Sequence, residues 1–263
     1  MGAALRGRRP RQAGRGLTVR LAVLSDIHAN LDALRAVLAD MDALGVTQAV
    51  SLGDVIGYGP DPEACVALVR ERGIPSVLGN HEHAMLREAH KRWFNPQARR
   101  AVEITETLIG ADTRAWLRTL PTSLVVAGAR CVHGYPPDNL HLYLHAVSDA
   151  RLEQTLAHMA EPLCFVGHTH DLAQAHWDGA RLSRGVLPPG ALALERGSRH
   201  LLSVGSVGQP RDDFDTTAKY AVYDPANHVC EVRCVAYDAR PVAERILALG
   251  VPDTYARRLG TGH

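Results

Sequence analysis

The chain has 263 residues, 46% of them hydrophobic, and a formal net charge of +1 at pH 7. This size and apolar content predict one large globular domain, or one domain with an inserted lobe. The near-neutral charge argues against nucleic acid as a partner, because no basic field covers the chain. No stretch approaches the roughly 18 apolar residues that cross a membrane, so no membrane partner is expected.

The first residues differ from the rest in charge. Six of the 29 basic residues and none of the 28 acidic residues lie within positions 1–20, which leaves 23 basic residues for the remaining chain. Segment 1–17 is rich in Arg and Gly and therefore predicts a disordered basic arm. It is either a loose tail or an electrostatic arm for an acidic partner.

The five cysteines are odd in number and scattered through apolar segments. This usage predicts free thiols and a reducing, cytoplasmic environment. The apolar run LAVLS that follows the arm is too short for the core of a signal peptide, which agrees with that localisation.

The first 80 residues alternate short apolar runs with helical patterns. The runs at 19–25, 47–52 and 74–79 have the length of strands. Asn30 can cap a helix after the first run, and Asp61, followed by proline, can begin a helix after the second. Buried strands that alternate with helices predict an α/β fold with a parallel sheet.

The remaining chain changes pattern twice. Residues from about 82 to 120 are well charged and helical in periodicity, and they predict a small helical insertion. Strands then resume around one further helix at about 149–160, and the chain is mostly β after residue 175. A short helix at 241–249 precedes a tail, 251–263, that we predict to be frayed. The predicted domain therefore spans residues 18–250.

Polar residues follow each of the first three strands. Asp26 and His28 follow the first, Asp54 the second, and Asn80 and His81 the third. Right-handed crossovers bring the carboxyl ends of parallel strands to one edge of a sheet, so these side chains should converge. Later predicted strands bring His133, His168 and His170 to the same edge.

This set of side chains has the composition of a binuclear metal site. Mixed imidazole and oxygen ligands suit Mn, Fe, Zn, Ni or Co rather than Ca or a thiolate-bound zinc. Two ions about 3.5–4 Å apart need a shared ligand, and the two oxygens of Asp54, flanked by Gly53 and Gly57, could provide it. Two divalent ions with two aspartates keep a net positive charge, which favours hydrolysis of a phosphoester.

Five short blocks, in order, carry a resemblance to a known family. The blocks are Asp26-Ile-His28, Gly53-Asp54 with Gly57, Gly79-Asn80-His81-Glu82, His133-Gly134 and Gly167-His168-Thr169-His170. Together they resemble the calcineurin-like metallophosphoesterase superfamily. The segments "SDIHANLDAL", "GDVIGYGPDPEAC" and "SVGSVGQPRD" are similar to its small bacterial branch related to diadenosine tetraphosphatases and Ser/Thr protein phosphatases.

The resemblance implies a role for each matched residue. His81 would be a catalytic residue that binds no metal and assists the leaving oxygen, while Asp54 would bridge two metals. Glu82 stands where the family often has Asp, which leaves open whether it orients His81. One metal would be held by Asp26, His28, Asp54 and His170, and the other by Asp54, Asn80, His133 and His168.

The resemblance also implies a fold and a mechanism. The fold would be a four-layer α/β/β/α sandwich that carries the small helical insertion. Two divalent transition-metal ions, with Mn favoured over Fe, Zn, Ni or Co, would hold a bridging hydroxide that attacks phosphorus. The expected activity is hydrolysis of phosphomonoesters or phosphodiesters.

Substrate contacts are harder to predict than metal ligands. Arg211, in a loop of small residues, could grip a phosphate, although a surface arginine at a turn is the alternative. Asn30 could contact phosphate or simply cap its helix. Further candidates follow the metal-bearing loops and could face either substrate or solvent: Tyr58, His83, His141 and Tyr143.

Three functions remain open at this point. The favoured one is a phosphatase or phosphodiesterase acting on a phosphorylated small molecule or a phosphoprotein. A nuclease of the double-strand-break repair type would need a long capping domain and a DNA-binding surface, and neither is evident. A non-catalytic scaffold of the same fold would lack the catalytic histidine, whereas His81 is present. The sequence does not predict an oligomeric state.

Overall fold

The computed structural model describes residues 20–212 and 214–261, so the predicted basic arm at 1–17 lies outside the described residues. The described chain forms eleven strands and eight α-helices. The strands are β1 (Leu21–Leu24), β2 (Gln48–Ser51), β3 (Ser123–Val126), β4 (Ala129–Val132), β5 (Leu163–Val166), β6 (Leu172–Trp177), β7 (Leu182–Val186), β8 (Gly190–Ala193), β9 (Arg199–Val204), β10 (Ala218–Asp224) and β11 (Val229–Val235).

The α-helices vary in length from three to thirteen residues. They are α1 (Leu31–Ala43), α2 (Pro62–Glu71), α3 (Asn80–Leu86), α4 (Pro96–Leu108), α5 (Ala111–Leu117), α6 (Asp149–His158), α7 (Arg240–Ala248) and α8 (Thr254–Ala256). None of the helices formed by residues 20–261 is long and apolar enough to cross a membrane.

The strands form two mixed sheets. Sheet A has the order β2-β1-β10-β11-β8, and sheet B has the order β3-β4-β5-β9-β6-β7. β1 and β2 are parallel, as are β4, β5 and β9, while the other pairs are antiparallel. The carboxyl ends of the parallel strands in both sheets therefore define one edge, where connecting loops can meet.

Strand alternation shows how the layers stack. Leu21 and Val23 of β1 pack in one apolar cluster with sheet B residues such as Phe165, whereas Ala22 and Leu24 pack in another with α1 and α2. Successive side chains of a strand point to opposite faces, so β1 serves both interfaces. A further cluster joins sheet B to α6. The four-layer α/β/β/α sandwich is confirmed.

The third predicted strand, 74–79, is an exception. It pairs with β2 only through one isolated parallel bridge between Ser51 and Ser76. Pro75 offers its carbonyl to Ser51 but has no N–H to extend the ladder. Leu78 then donates to the carbonyl of Pro121 instead. The segment still delivers its polar residues to the shared edge.

The segment between that bridge and β3 is helical. It contains α3, a 3-10 helix at Glu88–Trp93, α4 and α5, in the region where the sequence predicted an insertion. Asn95 caps α4 by accepting a hydrogen bond from the amide of Ala98. Lys91 anchors the 3-10 helix to α4 because its ammonium donates to the Glu106 carboxylate at 2.6 Å.

The predicted frayed tail is wrong for residues 251–261. Tyr255 and Leu259 are each 2% exposed, and they pack with Val242 and Ile246 of α7 in an apolar cluster that includes Tyr58. Burial of these large apolar side chains offsets the entropy cost of ordering the segment. The charged residues between Tyr255 and Leu259 made their apolar spacing hard to recognise in the sequence. The tail therefore reaches the loop that follows β2.

All five cysteines are free thiols, as predicted. Four of them, Cys65, Cys131, Cys164 and Cys230, are buried, and Cys234 is exposed. Burial raises the pKa of the Cys131 and Cys230 thiols to about 12, so these two are packing residues rather than reactive thiols.

Candidate metal centre

The loops at the shared edge of the sheets have an unusual backbone. Seven residues that are not glycine have positive φ in the loops after β1, β2 and β5. Such conformations cost roughly 1 kcal/mol or more each and persist where the surroundings enforce them. The residues with positive φ are Asp26, His28, Ala29, Asp54, Tyr58, His168 and His170. Backbone hydrogen bonds connect the loops, including one from the amide of His28 to the carbonyl of Asp54.

One group of side chains comes from the loops after β1 and β5. The Nε2 atoms of His28 and His170 lie 3.0 Å apart. The Oδ1 atom of Asp26 is 3.6 Å from Nε2 of His28 and 3.3 Å from that of His170. This oxygen is buried and accepts no hydrogen bond. The three atoms thus converge on one point.

A second group lies beside the first. Nε2 of His133 is 2.8 Å from Oδ1 of Asn80 and 3.3 Å from Oδ2 of Asp54. His168 completes the group, since its ligand atom lies within 4.8 Å of those of Asp54 and His133. All four predicted residues of the second metal site therefore meet in the structure.

Backbone carbonyls fix which ring nitrogen faces the centre. Nδ1 of His28, His133 and His170 donates to the carbonyls of Ile56, Leu52 and Gln209, at 3.2, 2.8 and 2.6 Å. Neutral imidazoles held this way direct the Nε2 lone pair inward. His168 is reversed, because its Nε2 lies 3.3 Å from the carbonyl of His141. That bond leaves Nδ1 of His168 for the centre.

This arrangement fits metal ions better than hydrogen bonds. Two lone-pair nitrogens 3.0 Å apart, on His28 and His170, repel each other unless a cation lies between them. The unpartnered Asp26 oxygen aims at the same point, and a buried acceptor without a partner costs roughly 1–3 kcal/mol. Mixed nitrogen and oxygen donors suit divalent transition metals. The residues present therefore fit a divalent ion.

Asp54 joins the two groups through one oxygen. Its Oδ2 atom is 3.3 Å from Nε2 of His133 and 3.8 Å from Nε2 of His28. Its Oδ1 atom accepts a hydrogen bond from the backbone N–H of His81 at 2.9 Å. The amide of His81 therefore uses one lone pair of Oδ1, and Oδ2 is the oxygen that faces both ligand groups.

The electrostatics of the centre favour bound cations. Burial disfavours ionised Asp54, but His133 and the other imidazoles outweigh it and hold the pKa of this carboxyl well below its usual range. Burial likewise opposes the charge on His133, but Asp54 raises its pKa to about 9. Burial lowers the pKa of His168 to about 3. The field that favours a proton on His133 would also favour a metal ion.

Glu82 does not orient His81, the role that the sequence left open. Its carboxylate is fully buried and accepts hydrogen bonds from three backbone amides, those of Asp54 at 2.8 Å, Ile56 at 3.1 Å and Gly79 at 2.9 Å. These bonds cap α3 and tie the loop of Asp54 to the loop of Asn80. Glu82 is therefore a positioning residue for Asp54.

His81 packs tightly at the floor of the site. Its ring contacts Phe94 and Tyr58 edge-on, with centroids 4.8 and 4.4 Å away. Nε2 is 4.0 Å from Oδ2 of Asp54, and Nδ1 is buried without a hydrogen bond. Gly57 makes room for this ring, because a Cβ at that position would lie 2.2 Å from Nδ1 of His81.

We expect Gly57→Ala to displace His81 and lower catalytic activity. Gly57 has φ of +96°, so alanine there is also strained, by roughly 1 kcal/mol or more. Gly73→Ala is the matched control, since Gly73 has φ of +61° but open space around a Cβ. Thermal unfolding and phosphoesterase kinetics of both variants test this. Equal losses of activity would show that backbone strain alone explains the effect.

A cavity of about 370 Å³ opens above the two groups. Asp54, Asn80, His81, His168 and His170 form its floor. Of the predicted substrate contacts, Arg211, His141 and Tyr143 line the cavity, and so does Tyr58. The ring of Tyr143 stacks on that of His168, with centroids 4.0 Å apart.

Two other predicted contacts lie elsewhere. Asn30 caps α1 by accepting from the amide of Ala33, and its side-chain amide donates to the Gly208 carbonyl and the Tyr237 hydroxyl. These bonds satisfy it, so the alternative of a helix cap holds. His83 is outside the cavity lining and contacts His90 and His141 instead.

Part of the cavity wall was not predicted from the sequence. Arg258 and Tyr255 come from the segment predicted to be frayed, and Tyr255 stacks on Tyr58 with centroids 4.1 Å apart. Arg258 lies 5.3 Å from the centroid of the Tyr255 ring. The apolar spacing of Tyr255 and Leu259 was the available signal. The helical insertion supplies the opposite wall through Trp93, Phe94, Asn95, Gln97 and Ala98.

Comparison with known proteins identifies relatives that match most of the chain. The family model of the calcineurin-like phosphoesterase superfamily domain matches residues 19–227. An uncharacterised protein of Methanocaldococcus jannaschii is 31% identical over 245 residues, which cover 92% of this chain and 98% of that protein.

Two solved structures share the fold over most of their length. A metallophosphoesterase from Sphaerobacter thermophilus is 35% identical, with a TM-score of 0.78, and the match covers 94% of this chain and 100% of that chain. A hypothetical protein from Pyrococcus horikoshii is 19% identical, with a TM-score of 0.72, covering 92% and 97%. The extent of the family match shows that this chain belongs to the calcineurin-like phosphoesterase superfamily.

Proposed function

We propose that the protein is a divalent-metal-dependent phosphoesterase with a binuclear centre. Membership of the superfamily supports a hydrolase that acts on phosphoester bonds. The observation that carries the finer proposal is the meeting of two ligand groups at Oδ2 of Asp54, beneath a cavity lined by Arg211. Asp26, His28 and His170 would hold one ion with Asp54, and Asn80, His133 and His168 would hold the other.

Two residues of the chain would bind the phosphate and assist the leaving group. Two bound divalent ions supply a Lewis acid for the phosphoryl oxygens and lower the pKa of water. Arg211 would bind the phosphate, since a guanidinium matches phosphate geometry and its buried Nε has no protein partner. Burial lowers the pKa of His81. Its ring lines the floor of the cavity, where a ring N–H would donate to the leaving oxygen.

The cavity favours a compact phosphoester. Its volume of about 370 Å³ and its walls of Tyr58, Phe94, Tyr143 and Tyr255 suit one phosphate with an organic group. Duplex DNA would instead need a flat or extended basic groove. A phosphorylated small molecule is therefore the favoured substrate, with a phosphoprotein side chain as the next choice.

We expect the purified protein to hydrolyse small phosphoesters only with divalent metal. Chelation with EDTA should abolish turnover, and Mn²⁺ or a similar transition-metal ion should restore it. Elemental analysis would give the ions per chain. A panel of p-nitrophenyl phosphate, bis-p-nitrophenyl phosphate, dinucleoside polyphosphates and phosphopeptides would separate monoesterase from diesterase activity.

Two outcomes would overturn the proposal in different ways. If the pure protein contained no metal and its activity did not change with EDTA, the proposed binuclear centre would be contradicted. If long duplex DNA were degraded faster than any small ester, the protein would be a nuclease and not a small-molecule phosphoesterase.

A further inference from the structure

Three histidines outside the predicted ligand set converge at the rim of the cavity. His83 lies on α3, His90 on the 3-10 helix that follows it, and His141 on the loop after β4. Their side chains are partly buried. The metallophosphoesterase motifs account for none of the three, and only His141 lines the cavity.

Their ring nitrogens have the spacing of metal ligands. Nδ1 of His83 is 2.8 Å from Nδ1 of His90 and 3.4 Å from Nε2 of His141. All three atoms lie within 4.8 Å of one another. Nitrogens bound at about 2.0–2.1 Å to one tetrahedral zinc ion are about 3.3 Å apart, so small side-chain adjustments would complete the geometry.

Other contacts hold His141 in place. The side chain of Asn139 accepts hydrogen bonds from the amides of His141 and Leu142, both at 2.8 Å, which sets the loop conformation. The indole of Trp93 stacks on the His141 ring with centroids 5.8 Å apart. The cluster therefore joins the helical insertion to the loop after β4.

We propose that His83, His90 and His141 form a third transition-metal site, separate from the binuclear centre. Three imidazoles without a carboxylate favour Zn²⁺, Co²⁺ or Ni²⁺ over Mg²⁺ or Ca²⁺. A tetrahedral ion there would keep one position for water or an anion. The ion would hold the insertion against the loop that carries Tyr143, and so would fix the wall of the cavity. The site depends on its own ligands and not on the proposed phosphoesterase activity.

The test compares metal content and metal position in matched variants of the full chain. His90→Gln removes one ligand of the cluster, and His90 lies outside the cavity lining and the binuclear groups. His158→Gln is the control, because His158 is an exposed histidine on α6. Each protein is dialysed against Zn²⁺ alone, and its zinc is counted by elemental analysis. Anomalous diffraction from Zn²⁺-soaked crystals locates the ions, and thermal unfolding confirms the fold.

We expect His90→Gln to bind one zinc ion fewer than the wild type and His158→Gln to match the wild type. The anomalous map of the wild type should show a peak about 2.0–2.1 Å from the three nitrogens, absent in His90→Gln. Equal zinc counts, or a map without that peak, would overturn the inference. A His83→Gln variant gives a second reading if His90→Gln fails to fold.

A third variant separates this inference from the proposed function. Asp26→Asn should weaken the binuclear centre and leave the peak at the histidine cluster. If Asp26→Asn changed no zinc count while His90→Gln lost an ion, the binuclear centre would fail and the third site would stand. If Asp26→Asn also removed the cluster peak, the cluster would not be an independent site.

Discussion

Asp54→Asn is expected to abolish metal-dependent hydrolysis, with a fall in kcat/KM of about 10³-fold or more. Metal ions contribute several kcal/mol of charge stabilisation in the transition state, and each 1.36 kcal/mol is a factor of ten. Oδ2 of Asp54 faces both ligand groups, whereas Oδ1 accepts the amide of His81. The oxygen of the asparagine can keep the hydrogen bond from the amide of His81, and its NH₂ group then takes the position of Oδ2.

The Asn variant therefore separates metal binding from folding. An NH₂ group cannot bind a metal, and the bridging negative charge is lost with it, so at least one ion should be lost. Elemental analysis and initial rates on an aryl phosphate measure the two effects. Asp61→Asn is the control, because Asp61 follows the same loop but pairs with Arg245 at 3.0 Å. Full metal occupancy in Asp54→Asn would exclude Asp54 as the shared ligand.

The convergence of the candidate metal ligands could be predicted from the sequence because these residues follow strands. Parallel strands fix where their carboxyl ends lie, so residues such as Asp26 and His170 meet although 144 positions separate them. These residues converge even though 74–79 forms only an isolated bridge, because its hydrogen bonds with Ser51 align the end of that segment. Ligand positions depend on topology more than on strand length.

Fine contacts in the centre could not be predicted in the same way. Oδ1 of Asp54 is occupied by an amide, and Glu82 binds three amides rather than His81. Both depend on left-handed backbone conformations, such as φ of 52° at Asp54, that residues other than glycine rarely adopt. Propensity argues against these conformations, and tertiary contacts enforce them.

The cavity walls were the least predictable part. Arg258 and Tyr255 come from the end of the chain, and Phe94 comes from the helical insertion. These segments reach the site through side-chain packing, such as the Tyr58–Tyr255 stack, and not through a sheet whose edge is known. A sequence pattern gives the amphipathic face of such a segment but not the partner that covers it.

His81→Ala is expected to retain the fold and both metal ions but to lower kcat by roughly 10²–10⁴-fold for an ester with a poor leaving group. The geometry leaves a competing role open to test. Nε2 of His81 is 4.0 Å from Oδ2 of Asp54, and His81 could form a metal-binding group with Asp54 and His28. His133, at 3.3 Å, is nearer to that oxygen and has its Nδ1 held by a carbonyl.

Comparing two esters with a metal count distinguishes these roles. A proton donor matters less when the leaving oxygen is already stable, so an activated aryl ester should lose less rate than an alkyl ester in His81→Ala. A metal ligand would instead cost both esters equally and lower the number of bound ions, as in Asp54→Asn. His158→Ala, on the exposed face of α6, controls for loss of a histidine. Unchanged rates on both esters with full metal content would remove His81 from catalysis, and His141, which lines the same cavity, would be the next donor to test.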